Sequence, residues 1–274
     1  MLLAIGCYFV SISFTLYLPR FVLHLGGNES IAGMLIAVAL VPVIIFTPLG
    51  GYCADRFGSR RTILFGALVY SLATLGFAGV TTISGIIFAL HFVQICGHLF
   101  TFPPMLAATT AIIPSKHRAQ GIGLLTVSAQ FGNMLGAWIG SSLVDNHQFQ
   151  WYIVFAAFSS AVTLFIWLVA IHPPHTKSKE TGRRPWYFPS WKIVIASATL
   201  ILVVGGVYGT ALQFVPTQLL DLHNRGITEK LIPSSWFIST AFIAVAISRI
   251  FLSRLSDSRF RDRVIFINNI ALLF

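Results

Sequence analysis

The sequence predicts an all-α protein threaded repeatedly through a membrane. Composition is the first reason: of 274 residues, 56% are hydrophobic and only 9% charged, where a soluble domain carries about 25% charged residues. That leaves too little polar surface to coat a water-soluble fold. The second reason is pattern, since apolar residues gather in runs of about 20, the length that crosses a hydrocarbon core. The third is the placement of charge in short clusters between those runs. A transmembrane barrel does not fit, because barrel strands are about 10 residues long with alternating polarity. Inside lipid every backbone amide needs an internal partner, so long apolar runs form helices.

The runs are, in order, Leu2–Leu23, Ile31–Ala54, Ile63–Val80, Ile83–Leu106, Ile122–Val144, Tyr152–Ile171, Ile193–Leu220, Ser234–Leu255 and Val264–Phe274. The last has about half the length needed and stops at Phe274, so the chain reads as truncated after about eight and a half helices. The first run lacks a basic leader and a small-residue cleavage site, which makes it a span rather than a signal peptide. Most links are short, so neighbouring helices are antiparallel. The exception is His172–Trp191, a basic, proline-bearing stretch. It divides the chain into a six-helix bundle at 1–171, a cytoplasmic linker at 172–191 and the incomplete start of a second bundle at 192–274. Pro19, Pro42, Pro48, Pro103, Pro104 and Pro216 fall within runs, where each removes a backbone donor and bends its helix.

The formal net charge is +10. Its distribution argues against nucleic acid as a partner. Arg56, Arg60 and Arg61 follow the second run, Lys116 and Arg118 the fourth, Lys177 to Lys192 the sixth, and Arg254 to Arg263 the eighth. The opposite loops hold Arg225 and Lys230. This positive-inside asymmetry places the N-terminus and the basic loops in the cytoplasm, where they also meet anionic lipid. Cys7, Cys53 and Cys96 are odd in number and lie in or beside spans, which predicts no disulfide framework. Asn28-Glu-Ser30 fits a glycosylation triplet on the outer side, relevant only in a eukaryotic host. Metal-ligand spacings, phosphate-binding loops and nucleophile–base pairs are missing from the sequence, so neither an enzyme nor a bound cofactor or metal is expected.

The richest segment is Gly51-Tyr-Cys-Ala-Asp55-Arg56-Phe-Gly58-Ser-Arg60-Arg61, a hairpin between the second and third spans. Gly51 is expected to let helices two and three approach closely, and Gly58 to turn the chain with positive φ. Asp55 lies at a helix end, where it can cap or attract a neighbouring helix N-terminus. Arg56 and Arg60 can pair with it or with lipid phosphate. A weaker copy follows at residues 253–263, its Asp257 lying 257 − 55 = 202 residues after Asp55, as in a duplicated membrane unit.

This hairpin resembles the signature of the major facilitator superfamily, roughly Gly-x-x-x-Asp-Arg-x-Gly-Arg-Arg/Lys. Gly51, Asp55, Arg56, Gly58 and Arg60 match, while Ser59 replaces a basic residue and Arg61 stands nearby. The resemblance covers spans, linker and repeat. It implies a two-bundle fold with the first six-helix half complete and the second partial. It also implies a conformational latch formed by Gly51, Asp55, Arg56, Gly58 and Arg60, with Arg249 and Asp257 pairing in the second half. Two further family motifs match poorly. In the fourth run His91-Phe-Val-Gln94-Ile-Cys-Gly97 has His for Arg, and the fifth run carries Gly132-Asn133 without the antiporter proline. Gly132, Gly136 and Gly140 remain as a stripe for close helix packing.

Ionisable groups inside lipid are costly and usually functional. The interiors of the eight complete runs hold no Asp or Glu, which leaves His91 and His98 as proton-handling candidates. They lie two turns apart on one face, about 10 Å, with Gln94 between them, and an ordinary histidine titrates near pH 6.5. Arg20 is expected to snorkel outward, or else to face a cavity. The resemblance places helices one, four and seven around a cavity, with Tyr8, Ser11 and Thr15 on the first and Tyr208, Gln213 and Thr217 on the seventh. The expected solute and proton pathway is therefore Arg20, His91, Gln94, His98, Asn133, Tyr208 and Gln213. The function implied is a monomeric secondary transporter in a bacterial cell membrane. It exports a small organic solute by alternating access, with protons as partner. The alternatives are a sugar or organic-acid uptake symporter, and a transport-inactive protein acting by association.

Overall fold

A computed structural model describes residues 1–114, 117–169, 212–227 and 233–256. Eight helical segments appear, numbered here by span: α1 (Leu2–His24), α2 (Glu29–Val38 and Leu40–Phe57), α3 (Ser59–Gly76), α4 (Gly85–Ile112), α5 (Arg118–Asp145), α6 (Phe149–Val169), α7 (residues 212–224) and α8 (Ser234–Ser256). Among the described residues six helices are long and apolar enough to cross a membrane, or seven if the bent α2 is one span. Outward-facing side chains such as Phe65, Leu72, Trp138, Phe158 and Phe165 are large, apolar and exposed, the surface a bilayer requires. The expected linker, Tyr208 and Asp257 lie outside the described residues.

Prolines explain where the helices deviate. Pro19 has no amide to give the Thr15 carbonyl, and the chain before it tightens into a 3₁₀ stretch, Ser13–Tyr17. There Leu18 N–H bonds the Thr15 carbonyl instead. In α2 the segments Glu29–Val43 and Ile45–Phe57 meet at 42°. Pro48 lies four residues after Ile44 and cannot bond its carbonyl. Pro103 and Pro104 sit inside α4 without ending it. That helix runs six residues past its expected end at Leu106 (112 − 106 = 6), because neighbouring helices accommodate the freed carbonyls.

The packing has an internal symmetry. Helix α1 lies against α5 and α6, α4 lies against α2 and α3, and α3 meets α6. Exchanging α1–α3 with α4–α6 leaves this pattern unchanged, the arrangement of two three-helix repeats. Glycines make both crossings tight. A Cβ on Gly97 would come within 2.5 Å of the Tyr70 amide nitrogen on α3. On the other side, a Cβ on Gly132 would run into the Gly6 carbonyl of α1. Gly136 packs on Val10 and Ser13, and Gly140 on the Tyr152 ring. The stripe thus serves contacts within the bundle. Gly51 corrects an expectation: nothing lies within 4 Å of a Cβ built there. Its neighbour Gly50 makes the close approach, against the Leu99 carbonyl that Pro103 leaves without an amide.

Two apolar clusters fill the bundle. Toward the end opposite the basic loops, Phe14, Tyr17, Phe21, Phe77, Phe149 and Tyr152 pack with Leu212 of α7 and with Ile238 and Phe242 of α8. Toward the basic end, Tyr8, Ile63, Tyr70, Met105, Leu125 and Trp167 pack together. Helix α8 buries Ser234, Ser235, Ile238 and Phe242 and exposes Trp236, Phe237, Ile243, Ile247, Ile250 and Phe251.

Candidate functional site

At the basic end, Gly58 turns the chain from α2 into α3 with φ 89° and ψ 140°, a conformation closed to residues with a Cβ. Arg56 donates to the Tyr52 hydroxyl at 2.7 Å and lies over the Tyr52 and Phe57 rings. Arg60 reaches across to α6, where its Nε donates to the Trp167 carbonyl at 3.3 Å and its Nη2 to the Leu168 carbonyl. Those carbonyls belong to the last turn of α6, so a cation caps a helix C-terminus. Asp55 is exposed and makes no ion pair among the described residues. Arg56 and Arg60 thus both pair away from Asp55. Arg249 is half-buried in α8, and its expected partner Asp257 lies outside the described residues.

The histidines of α4 lie on one face but serve different neighbours. His91 is 3% exposed. Its Nδ1 meets Gln94 Oε1 at 3.2 Å, and Gln94 Nε2 donates to Thr74 Oγ1 at 2.9 Å. Thr74 in turn donates to the Tyr70 carbonyl at 2.8 Å. This closed network joins α4 to α3. His98, two turns on, meets the Tyr8 hydroxyl of α1 through Nδ1 at 3.0 Å. Its ring stacks between Tyr8, at 5.8 Å and 6°, and Phe102, at 5.6 Å and 13°.

His98 lines a cavity of about 310 Å³ between α1, α4 and α5. Phe9 and Phe102 form an edge-to-face pair on its wall. Thr126 and Gln130 face it from α5. Asn133 is one turn from Gln130 and donates weakly to its Oε1 at 3.5 Å. Of the polar stripe expected on the first helix, Ser11 is fully buried, its hydroxyl without a partner among the described residues, and Thr15 bonds back to the Ile12 carbonyl at 2.8 Å. On α7, Gln213 Oε1 and Thr217 Oγ1 are buried without partners among the described residues.

At the opposite end Arg20 does not snorkel. It is 7% exposed, and its Nη1 donates to Asp145 Oδ1 at 2.5 Å. Ser141 donates to the other carboxylate oxygen at 3.0 Å. Tyr17, one turn from Arg20, donates to the Ala137 carbonyl at 2.8 Å and lies 3.4 Å from Ser234 Oγ on α8. Tyr152 and Ser13 share a hydroxyl contact at 2.9 Å beneath it. Asp145 was missed by the sequence reading because the apolar run ends at Val144. Helix α5 carries one residue more, and that residue is the carboxylate.

The Major Facilitator Superfamily pattern matches residues 1–274. Among curated proteins, the Quinolone resistance protein NorA of Staphylococcus aureus is 26% identical over 196 residues, which cover 68% of this chain and 49% of that protein. A Na(+), Li(+), K(+)/H(+) antiporter of Planococcus maritimus is 23% identical over 263 residues, covering 86% and 61%. The chain therefore spans about half the length of the relative NorA. Among solved structures, the proton:xylose symporter XylE bound to 6-bromo-6-deoxy-D-glucose shares the fold with a TM-score of 0.56 at 16% identity, covering 94% of this chain and 68% of that one. An all-α polytopic membrane fold, a three-plus-three helix bundle and a family pattern along the whole sequence agree, and the chain belongs to the Major Facilitator Superfamily.

Proposed function

We propose that this chain forms part of a secondary transporter that exports a small organic solute by alternating access, driven by protons. The observation that carries the reading is the buried seam of α8 on α1 and α5 beside the Arg20–Asp145 pair, with a separate cavity in the bundle. Helix α8 closes on α1 and α5 at the end with Arg20 and Asp145, while the cavity lies nearer the basic end. With the basic loops in the cytoplasm, we read this seam as an outer gate in its closed position. The exposed Asp55 agrees with it, since a latch at the basic end is then disengaged.

The similar proteins bear different names, a quinolone resistance protein and an alkali-cation antiporter. The cavity favours an organic solute. Among the described residues lining it, no carboxylate stands to replace the water around an alkali ion. The proton's site on this reading is Asp145. Protonation removes the charge that holds Arg20, and the α1–α5 contact beside Tyr17 and Ser234 loosens. Acid-loaded everted vesicles containing the full-length protein test this. Addition of an exported solute should release protons in the wild type. Asp145→Asn should bind solute yet release none. Proton movement only with sugars or organic acids, in the uptake direction, would favour a symporter. No flux with any solute would favour a protein acting by association.

A further inference from the structure

We infer that the α1–α4–α5 cavity takes an uncharged, planar aromatic solute that carries hydrogen-bond acceptors. This rests on the transport reading for its purpose but not for its test. The walls supply flat apolar faces, Phe9 and Phe102, and the His98 ring is held parallel to Phe102 within 13°. A slab-shaped solute continues such a stack, and offset stacking is the arrangement that aromatic pairs prefer.

The polar atoms specify the rest. The Tyr8 hydroxyl and His98 Nδ1 lie 3.0 Å apart, and we take the tautomer in which the hydroxyl donates and the ring proton sits on Nε2, for which no partner stands among the described residues. Across the cavity, Gln130 spends its carbonyl oxygen on Asn133 and keeps its amide hydrogens. Thr126 has already given its proton to the Ile122 carbonyl at 3.0 Å. Two N–H donors on opposite walls therefore ask for acceptors on the solute. Among the described residues that line it there is no Lys, Arg, Asp or Glu. A cation entering here would leave water without a counter-charge, and two phenyl faces return less than that loss.

Acridine and N-methylacridinium have nearly the same shape and differ in charge. Acridine also carries a ring-nitrogen acceptor and is uncharged at mildly alkaline pH. Binding of each to the full-length protein in nanodiscs is measured by fluorescence titration, with empty nanodiscs as background and no ion gradient. Acridine should bind saturably, and the cation at least about tenfold more weakly. His98→Phe keeps the stack, loses the donor and should weaken acridine about tenfold. Gln130→Leu reports the same from α5, should His98→Phe fail to fold. Equal or tighter binding of the cation overturns the inference. So does acridine binding that neither substitution changes. Acridine binding without proton release would leave this inference standing and sink the transport reading. Proton-coupled flux of another solute, with no acridine binding, would do the reverse.

Discussion

Replacing Arg20 and Asp145 singly and together gives a worked test of the closed end. The two atoms in contact are 2.5 Å apart, with the arginine side chain 8% exposed and the aspartate 22%. Exposed pairs contribute about 0.2–1 kcal/mol, whereas truncating one partner of a buried pair costs about 3–5 kcal/mol. This pair lies nearer the buried limit but is open on the aspartate side. Asp145→Leu strands a buried guanidinium and should cost about 3 kcal/mol. Arg20→Met leaves a carboxylate that keeps Ser141 and some water, a loss of about 2 kcal/mol. The double variant removes both charges and should cost about 2 kcal/mol, so the single effects fail to add by about 3 kcal/mol. Thermal unfolding in detergent, followed by tryptophan fluorescence, reads this out. For a chain of this size about 1 kcal/mol corresponds to about 2–4 °C. Single effects that add within about 0.5 kcal/mol would show that the contact is not energetically coupled.

Further outcomes follow from the same packing. Gly58→Ala forces a Cβ into φ 89° and should cost about 1–3 kcal/mol, while Gly51→Ala, facing open space, should stay within about 0.5 kcal/mol. Gly50→Ala meets the Leu99 carbonyl and should cost about 1–3 kcal/mol; equal melting temperatures for all three variants would refute this reading of the hairpin. Gln94→Leu strips His91 of its partner and should cost about 1–3 kcal/mol, detectable as a lower melting temperature. Gly97→Leu drives a side chain into the Tyr70 backbone and should separate α3 from α4, with loss of monodisperse protein on size-exclusion chromatography.

The first six spans and the hairpin position were legible in the sequence because hydrophobic length and charge placement are one-dimensional signals. The positive φ at Gly58 was legible for the same reason, since a glycine between two charged helix ends has few other uses. Which glycine makes a crossing was not. Gly50 and Gly51 differ by 100° around α2, and only the neighbouring helix decides which one faces it. Periodicity correctly put His91 and His98 on one face, yet it could not show that one face of α4 meets two helices. His91 answers to Thr74 of α3, and His98 to Tyr8 of α1. Asp145 escaped because a span boundary drawn from apolarity stops at the first charge. The partner that makes this charge part of the bundle, Arg20, lies 145 − 20 = 125 residues earlier. Pro103 and Pro104 read as kinks by residue type alone. In the fold they leave carbonyls facing Gly50 and Gly66, the glycines of the neighbouring helices.

Cross-linking across the closed end tests alternating access most directly. Cysteines replace Tyr17 of α1 and Ser234 of α8, whose side chains lie 3.4 Å apart, in a full-length protein whose Cys7, Cys53 and Cys96 are exchanged for serine. A short, reducible bis-thiosulfonate then joins them. The account predicts that the join stops solute export and that reduction restores it, because α8 must leave α1 for the solute to exit. Undiminished export through a fully cross-linked protein would contradict it.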